Sequence, residues 1–246
     1  KGLAHRRPLA HNDAIRQGDA VRAEREYGRG GWVGIGTPQA NPTVEAEMRR
    51  LLPTDIEPLT TRLTSMSDDS ETRWTQYIER LDDYLTAFDV LDLDAFGFAC
   101  TGSSYIVGAA EEARIIDSAA AKFGYPIVTS AHAVLRALAS LGASRIAILA
   151  PYPQKLTDAS VAYWEAAGLT VAGVQRLDIG SADTRKIYGL TGNDVLSALD
   201  DMDLTGADAL LLSGTGMPTL DAINQGAETL SNPVLSSNYC LAWAGM

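Results

Sequence analysis

Two stretches decide the fold of this chain: Ala95-Phe-Gly-Phe-Ala-Cys-Thr-Gly-Ser103 and Ala209-Leu-Leu-Leu-Ser-Gly-Thr-Gly-Met217. Each is a short apolar run followed by a turn that contains Thr-Gly, which is typical of a buried strand that leads into a helix. In this alignment Cys100 stands opposite Gly214, and Thr101 stands opposite Thr215. The two stretches therefore share a design, but only the first carries a thiol.

Two further landmarks repeat in the same order. Pro38 precedes Cys100 by 62 positions, and Pro151 precedes Gly214 by 63 positions. The segment 126–130 (Pro-Ile-Val-Thr-Ser) also matches 233–237 (Pro-Val-Leu-Ser-Ser). Three matched landmarks predict a duplicated α/β unit, with a site between two related halves.

From Gly31 onward, short apolar runs alternate with helical patterns, as in a parallel sheet covered on both faces. The predicted strands are 32–36, 55–59, 95–99, 127–129, 145–150, 170–176, 209–212 and 234–236. The predicted helices are 43–52, 71–88, 106–123, 131–141, 156–167, 183–199 with a break at 189–192, and 219–230. We therefore expect an α/β protein of two lobes.

The predicted domains are an N-terminal arm (1–30), a first lobe (31–130 plus 236–246) and a second lobe (131–235). The arm carries seven basic and four acidic residues, whereas the rest carries 13 basic and 27 acidic residues. A helix from Asn12 or Asp13 to about Tyr27 is expected within it. Two interpretations stay open: a surface arm, or a segment that packs on the acidic body of a neighbouring subunit in a homo-oligomer.

Composition narrows the function classes. The chain has 46% hydrophobic and 21% charged residues, which favours a folded globular protein over disorder. A net charge of −11 disfavours nucleic acid and anionic membranes as partners. With two cysteines in unlike contexts, no long apolar span and no signal-peptide core, we expect reduced thiols and a cytoplasmic location.

Ligands of parallel α/β sheets bind at the carboxyl ends of the strands, where turns expose backbone N–H groups. The two Thr-Gly turns are therefore predicted to form facing cradles for a carboxylate, with Thr101 and Thr215 as hydroxyl donors. The other predicted cradle residues are Gly102, Ser103, Gly214 and Gly216. No phosphate-binding loop and no GxGxxG motif occurs, and the three histidines do not form a three-ligand metal site, so no nucleotide cofactor or metal is expected.

Cys100 is the predicted reactive group. We expect the helix after its turn to lower the pKa of the thiol and favour the thiolate. Tyr152 follows a strand and is predicted to point into the cleft as a hydrogen-bond donor. For Asn41, capping of the next helix and binding of the ligand both stay open. Cys240 is expected to pack only.

These motifs resemble the aspartate/glutamate racemase superfamily, in particular its maleate isomerase and arylmalonate decarboxylase branch. The resemblance spans about Gly31 to the C-terminus. It is carried by the segments 37–45 (TPQANPTVE), 98–103 (FACTGS), 150–152 (APY), 213–222 (SGTGMPTLDA) and 236–243 (SSNYCLAW). It implies two flavodoxin-like lobes related by pseudo-two-fold symmetry, cofactor-free chemistry in the cleft, and a tyrosine at position 152 that contacts a substrate carboxylate.

The count of thiols separates the reactions within this branch. Racemases and maleate isomerases of the group typically use one cysteine per lobe, and arylmalonate decarboxylase keeps one, in the second lobe. Here the thiol is Cys100, in the first lobe, and Gly214 stands in the second. We expect decarboxylation of an arylmalonate-type diacid through an enediolate in an oxyanion hole, with Cys100 as proton donor and Thr101 and Tyr152 as partners.

Three alternatives stay open. Cys100 acts as the nucleophile of a maleate-type isomerase, the protein is a racemase, or it is a carboxylate-binding protein without catalysis. If Gly214 faces Cys100 across the cleft, a cysteine at position 214 is expected to place a second thiol on the opposite face of the substrate carbon.

Overall fold

Two four-stranded parallel sheets form the framework of the computed structural model, which describes residues 25–245. The first sheet contains β1 (Gly31–Pro38), β2 (Ile56–Leu63), β3 (Ala95–Phe98) and β4 (Ile127–Thr129). The second contains β5 (Arg145–Ala150), β6 (Thr170–Arg176), β7 (Ala209–Leu212) and β8 (Val234–Ser236). The strand orders are β2-β1-β3-β4 and β6-β5-β7-β8. The two sheets thus share one topology, and the predicted α/β class is confirmed.

Helices connect the strands. They are α1 (Thr43–Leu51), α2 (Ser70–Glu79), α3 (Leu81–Thr86), α4 (Thr101–Val107), α5 (Ala109–Phe123), α6 (Ser130–Leu141), α7 (Gln154–Ala166), α8 (Gly192–Asp200), α9 (Leu220–Thr229) and α10 (Ser237–Ala244), with a 3₁₀ helix at Thr184–Gly189. The break predicted at 189–192 therefore separates the 3₁₀ helix from α8.

Some predicted bounds were wrong, and the largest differences lie in the first half. The helix predicted at 106–123 begins at Thr101, directly after Cys100, and Gly108 interrupts it with φ 77°. The helix predicted at 71–88 is divided at Arg80, whose backbone leaves the helical range. Strand β2 continues to Leu63 because its residues 60–63 pair with residues 35–38 of β1.

Three apolar clusters organise the interior. Alternate residues of β5, such as Ile146 and Ile148, share one cluster with Val33 and Ile35 of β1, so this core joins the two sheets. Phe96 of β3 belongs to a second cluster with α2, α3 and α5. The other residues of β5 and β7 pack with α8 and α9 in a third. Because the sheets share a core, the turns at their carboxyl ends are held in fixed positions.

Most of the N-terminal arm, including the predicted helix up to residue 24, lies outside the described residues. Arg25–Tyr27, at its end, is not helical. The Arg25 guanidinium lies 3.9 Å from the ring centroid of Trp32 and bonds Asp94 at 3.1 Å, which attaches the start of the described chain to the first sheet. Within residues 25–245, no helix is both long and apolar enough to cross a membrane.

Candidate active site

A cavity of about 390 Å³, partly open to solvent, lies where the turns after β1, β3, β5 and β7 meet. It is lined by Pro38, Asn41, Trp74, Cys100, Thr101, Gly102, Tyr152, Leu156, Thr184, Ile187, Tyr188, Gly214, Thr215 and Gly216. Eight of the nine predicted site residues therefore surround one cavity, and Ser103 does not line it.

Cys100 is the last residue before α4 and is 4% exposed. Burial raises the pKa of its thiol, against the opposite effects of the Ser103 hydroxyl, the backbone N–H groups of Ser103 and Gly102, and the charge of Arg73. The predicted lowering of this pKa was therefore wrong. The helix does begin beside the thiol, but loss of solvation disfavours the thiolate more than the turn stabilises it. Burial therefore favours the protonated thiol.

Ser103 contacts the Cys100 thiol but does not line the cavity. Its Oγ lies 3.3 Å from Cys100 Sγ and 2.7 Å from the carbonyl oxygen of Trp74, and the residue is fully buried. The structure therefore corrects its predicted position in the cradle. Ser103 contacts Cys100 and not the cavity.

Thr101 and Tyr152 form the hydroxyl side of the cavity. Thr101 Oγ1 and Tyr152 Oη lie 2.9 Å apart. Burial raises the pKa of Tyr152 to about 12, so the phenol remains a neutral donor across the physiological range. Tyr105 packs edge-on against the Tyr152 ring and bonds Ser213 Oγ at 2.8 Å. These contacts fix the phenol beside the turn after β7.

Gly214 is the position that mirrors Cys100 in the repeat, and a Cβ added there would have close neighbours. Its φ is +118°, and an added Cβ would lie 3.0 Å from Tyr152 Oη and 3.6 Å from Pro151 Cδ. A cysteine at 214 would thus be strained in its backbone and pressed against the phenol. Gly214 and Cys100 both line the cavity, so the expectation that a cysteine at 214 places a second thiol there stays a prediction, with the close contact to the Tyr152 hydroxyl as its cost.

Asn41 caps the next helix and also lines the cavity, so the first of the two roles left open by the sequence is confirmed and binding of the ligand stays a prediction. Its Oδ1 accepts the backbone N–H of Thr43 at 2.9 Å and so caps α1. Its Nδ2 donates to Thr215 Oγ1 at 3.3 Å. Thr215 Oγ1 in turn donates to the carbonyl of Ala99 at 2.9 Å. One amide therefore connects the turns after β1, β3 and β7.

Glu47, a residue that sequence reasoning missed, supports the turn after β7 from behind. Its carboxylate accepts the backbone N–H of Thr219 at 2.6 Å and Asn238 Nδ2 at 2.7 Å. Asn238 Nδ2 also donates to the carbonyl of Thr215 at 3.1 Å, and Thr43 Oγ1 donates to that of Gly216 at 2.9 Å. Burial raises the pKa of Glu47, although these donors act in the opposite direction.

The apolar wall was also missed, because its residues come from helices rather than from strand ends. Trp74 of α2 lies 3.2 Å from a Cβ built on Gly102, and Tyr188 of the 3₁₀ helix lies 2.8 Å from one built on Gly216. A side chain at either glycine would displace a ring. Trp74 and Tyr188 are 114 positions apart, the same separation as Cys100 and Gly214. The two aromatic residues therefore occupy matching positions of the internal repeat, which is the sequence signal that could have identified them.

Charged groups lie at the rim and behind the wall, not in the cavity itself. Arg73 is buried and lies 3.8 Å from Asp183, and Ser70 Oγ lies 3.2 Å from Thr184 Oγ1. Among the lining residues there is no lysine, arginine, aspartate or glutamate. Among residues 25–245 there is also no group of three or more His, Cys, Asp or Glu side chains that could hold a metal ion. The cavity therefore offers neutral hydroxyl, amide and backbone donors.

Both cysteines are free and buried. Cys240 lies in the core shared by the two sheets, and burial raises its pKa to about 12. Cys100, in contrast, lines the cavity and has the Ser103 hydroxyl beside its sulfur. Cys100 is therefore the thiol that meets the cavity.

Comparison with known proteins places this geometry in a family. The model of the arylmalonate decarboxylase family matches residues 33–246. Maleate isomerase from Nocardia farcinica is 27% identical over 215 residues, which covers 83% of this chain and 84% of the relative. Arylmalonate decarboxylase from Bordetella bronchiseptica is 28% identical over 154 residues, 58% of this chain and 60% of the relative.

Solved structures agree in fold. A mutant of maleate cis-trans isomerase from Nocardia farcinica, with a covalently bound succinylcysteine intermediate, has a TM-score of 0.79 at 25% identity and covers 87% of this chain and 90% of its own. An arylmalonate decarboxylase structure has a TM-score of 0.73 at 22% identity, with the same coverage.

Proposed function

The chain belongs to the arylmalonate decarboxylase family, and from this premise we propose that it decarboxylates a small malonate-type diacid without a cofactor, with Cys100 as the proton donor. The observation that carries the proposal is that the cavity has a single thiol, Cys100, while the mirror position in the other half of the repeat is Gly214.

Substrate binding follows from the distribution of donors. One carboxylate binds to Thr101, Tyr152 and the backbone of the turn at Gly214–Gly216. The other lies against Trp74, Leu156 and Ile187, where the absence of charged lining residues leaves its negative charge poorly solvated. Loss of carbon dioxide removes this charge, and the donors stabilise the enediolate that remains. Preorganised donors of this kind supply several kcal/mol in other enzymes.

The raised pKa of Cys100 suits the role of an acid. A general acid must be protonated when the intermediate forms, and a buried neutral thiol meets this condition. Since the thiol lies on one side of the cavity only, the proton arrives at one face of the enediolate. The product of a prochiral diacid is then a single enantiomer.

Isomerisation of a maleate-type diacid is the second candidate. The similarity to maleate isomerases over 83% of the chain favours it, and so does the amide of Asn41 at the cavity. In this reaction the Cys100 thiolate adds to the double bond, the single bond rotates, and the thiolate leaves again. The raised pKa of Cys100 disfavours this role, because addition requires the ionised form. The missing second thiol also disfavours a two-base racemase.

Proton NMR in deuterated water separates these reactions. The protein is incubated with phenylmalonate, methylmalonate or maleate in the presence of EDTA, beside the Cys100→Ala and Cys240→Ala variants. Decarboxylation gives a monoacid with one deuterium at the α-carbon, and isomerisation gives fumarate. The proposal predicts the first result for the parent and Cys240→Ala and none for Cys100→Ala. Fumarate alone, or binding of all diacids without turnover, would contradict it.

A further inference from the structure

The hydroxyl of Ser103 has two neighbours and one hydrogen. Its Oγ lies 2.7 Å from the Trp74 carbonyl oxygen and 3.3 Å from Cys100 Sγ. A serine hydroxyl donates one hydrogen bond and accepts others. The carbonyl accepts only, so when the thiol is protonated the serine donates to Trp74, and the Cys100 S–H donates to Ser103 Oγ. Both bonds are then satisfied.

This arrangement changes once the thiol loses its proton. The Cys100 thiolate is an acceptor without a donor hydrogen, so the S–H to Oγ bond no longer exists. Ser103 is fully buried, and water does not reach it to replace the bond. A rotation about the Cα–Cβ or Cβ–Oγ bond turns the hydroxyl hydrogen from the Trp74 carbonyl to Sγ. The thiolate then gains a charge-assisted hydrogen bond, which is stronger than the neutral bond given up.

We propose that Ser103 is a positioning residue whose hydroxyl switches from the Trp74 carbonyl to Cys100 Sγ when the thiol delivers its proton. This inference rests on the proposed role of Cys100 as an acid. In the step, the S–H hydrogen first turns from Ser103 Oγ to the cavity. The S–H bond then breaks, its proton forms the new C–H bond at the α-carbon, and the electron pair stays on sulfur. Ser103 keeps its own proton throughout. Water returns a proton to the thiolate after the product leaves.

The internal repeat supports a specific link between the thiol and the hydroxyl. Thr101 and Gly102 have the same residue types at the mirror positions Thr215 and Gly216, but Ser103 is replaced by Met217, which is fully buried. The turn after β7 thus lacks both the thiol and the hydroxyl that lies beside the thiol in the turn after β3. A hydroxyl needed only to complete the turn would be expected in both lobes.

Alkylation of the thiol by iodoacetamide tests the switch without reference to any substrate. The Cys240→Ala background leaves Cys100 as the only thiol, and the alkylation rate is measured against pH. Ser103→Ala removes the donor to the thiolate, so the pKa of Cys100 rises. At a fixed pH below that pKa, the rate falls about tenfold for each pH unit by which the pKa increases, because the thiolate fraction falls in proportion. Ser103→Thr keeps a hydroxyl and is expected to restore most of the rate.

Ser104→Ala is the matched control. Ser104 is the next residue of α4 and is equally buried, but its hydroxyl donates to Glu112 at 2.7 Å instead of meeting the thiol. This variant should lower the melting temperature and leave the pH profile of alkylation in place. With a diacid that the parent protein decarboxylates, Ser103→Ala should lower kcat. It should leave KM unchanged, because Ser103 does not line the cavity.

The results separate this inference from the proposed function. If Ser103→Ala shifts the alkylation profile while no diacid is decarboxylated, the hydroxyl switch stands and the proposed reaction is wrong. If decarboxylation occurs and the profiles of Ser103→Ala and Ser104→Ala coincide with that of the parent, Ser103 only completes the turn and the inference is overturned.

Discussion

Gly214→Ala tests whether the phenol of Tyr152 occupies the space that mirrors Cys100. Two costs follow from the structure. A φ of +118° strains any residue with a Cβ by about 1–3 kcal/mol. The new methyl group would also lie 3.0 Å from Tyr152 Oη, so the phenol must move and its 2.9 Å bond to Thr101 is weakened, which costs about 1 kcal/mol more.

The expected total is about 2–4 kcal/mol, or a fall of about 4–16 °C in melting temperature for a chain of this size. Thermal unfolding by circular dichroism measures it. Gly124→Ala is the control for the backbone term, since Gly124 has φ +82° with no atom within 4 Å of its Cβ. Its cost should be about 1–2 kcal/mol.

Tyr152→Phe completes a double-mutant cycle. Without the hydroxyl, the nearest ring atom, Cζ, lies 3.4 Å from the added Cβ, an ordinary contact. Gly214→Ala should therefore cost about 1 kcal/mol less in the Tyr152→Phe background than in the parent. Two results together would refute the steric account: Gly214→Ala lowers the free energy of unfolding by no more than Gly124→Ala does, and the effects of Gly214→Ala and Tyr152→Phe simply add.

Three further outcomes follow from the site. Cys100→Ala should abolish turnover with little loss of stability, and Cys240→Ala should retain activity; equal losses, measured as kcat, would exclude a single catalytic thiol. Burial raises the pKa of Cys100, so the protonated thiol and the stability that it contributes should persist at neutral pH. Both should be lost as the pH rises through that pKa. A plot of kcat against pH should therefore fall on the alkaline side of neutrality and not on the acid side. Glu47→Gln should lower kcat/KM about tenfold, because the amide puts an NH2 group where one of the two carboxylate oxygens accepts a hydrogen bond. One of the bonds from Thr219 and Asn238 is then lost and the turn that they hold is loosened; an unchanged kcat/KM would contradict this support.

The fold was predictable because the chain repeats itself and its buried strands are short apolar runs. The strands at 145–150 and 209–212, for example, have the predicted bounds. Strand β2 was predicted too short because residues 60–62 (Thr-Thr-Arg) are polar and lie on an edge strand, where apolar periodicity is weak. Gly108 was not recognised as a break because a single glycine is tolerated in many helices.

The site was predictable only where it follows from strand ends. The turns that contain Cys100, Tyr152 and Gly214 meet as the rule for parallel sheets implies. The pKa of Cys100 was not predictable from the sequence. The sequence pattern indicates that a helix follows the thiol, but it does not show how deeply the thiol is buried. Trp74 and Glu47 reach the site from the sides of helices, and no local motif marks a residue whose partners are distant in the sequence, as Asn238 is from Glu47.

The support that one repeat gives to a turn of the other has a consequence for how such a chain can evolve. Asn41, Thr43 and Glu47 hold a turn that belongs to the other repeat, so the working parts of one half are built from the sequence of both. If the chain arose by fusion of two copies of one gene, each copy ceased to be self-sufficient once its anchors diverged. If the chain were cut into two separate polypeptides, the halves would have to associate before the turn after β7 acquired its shape.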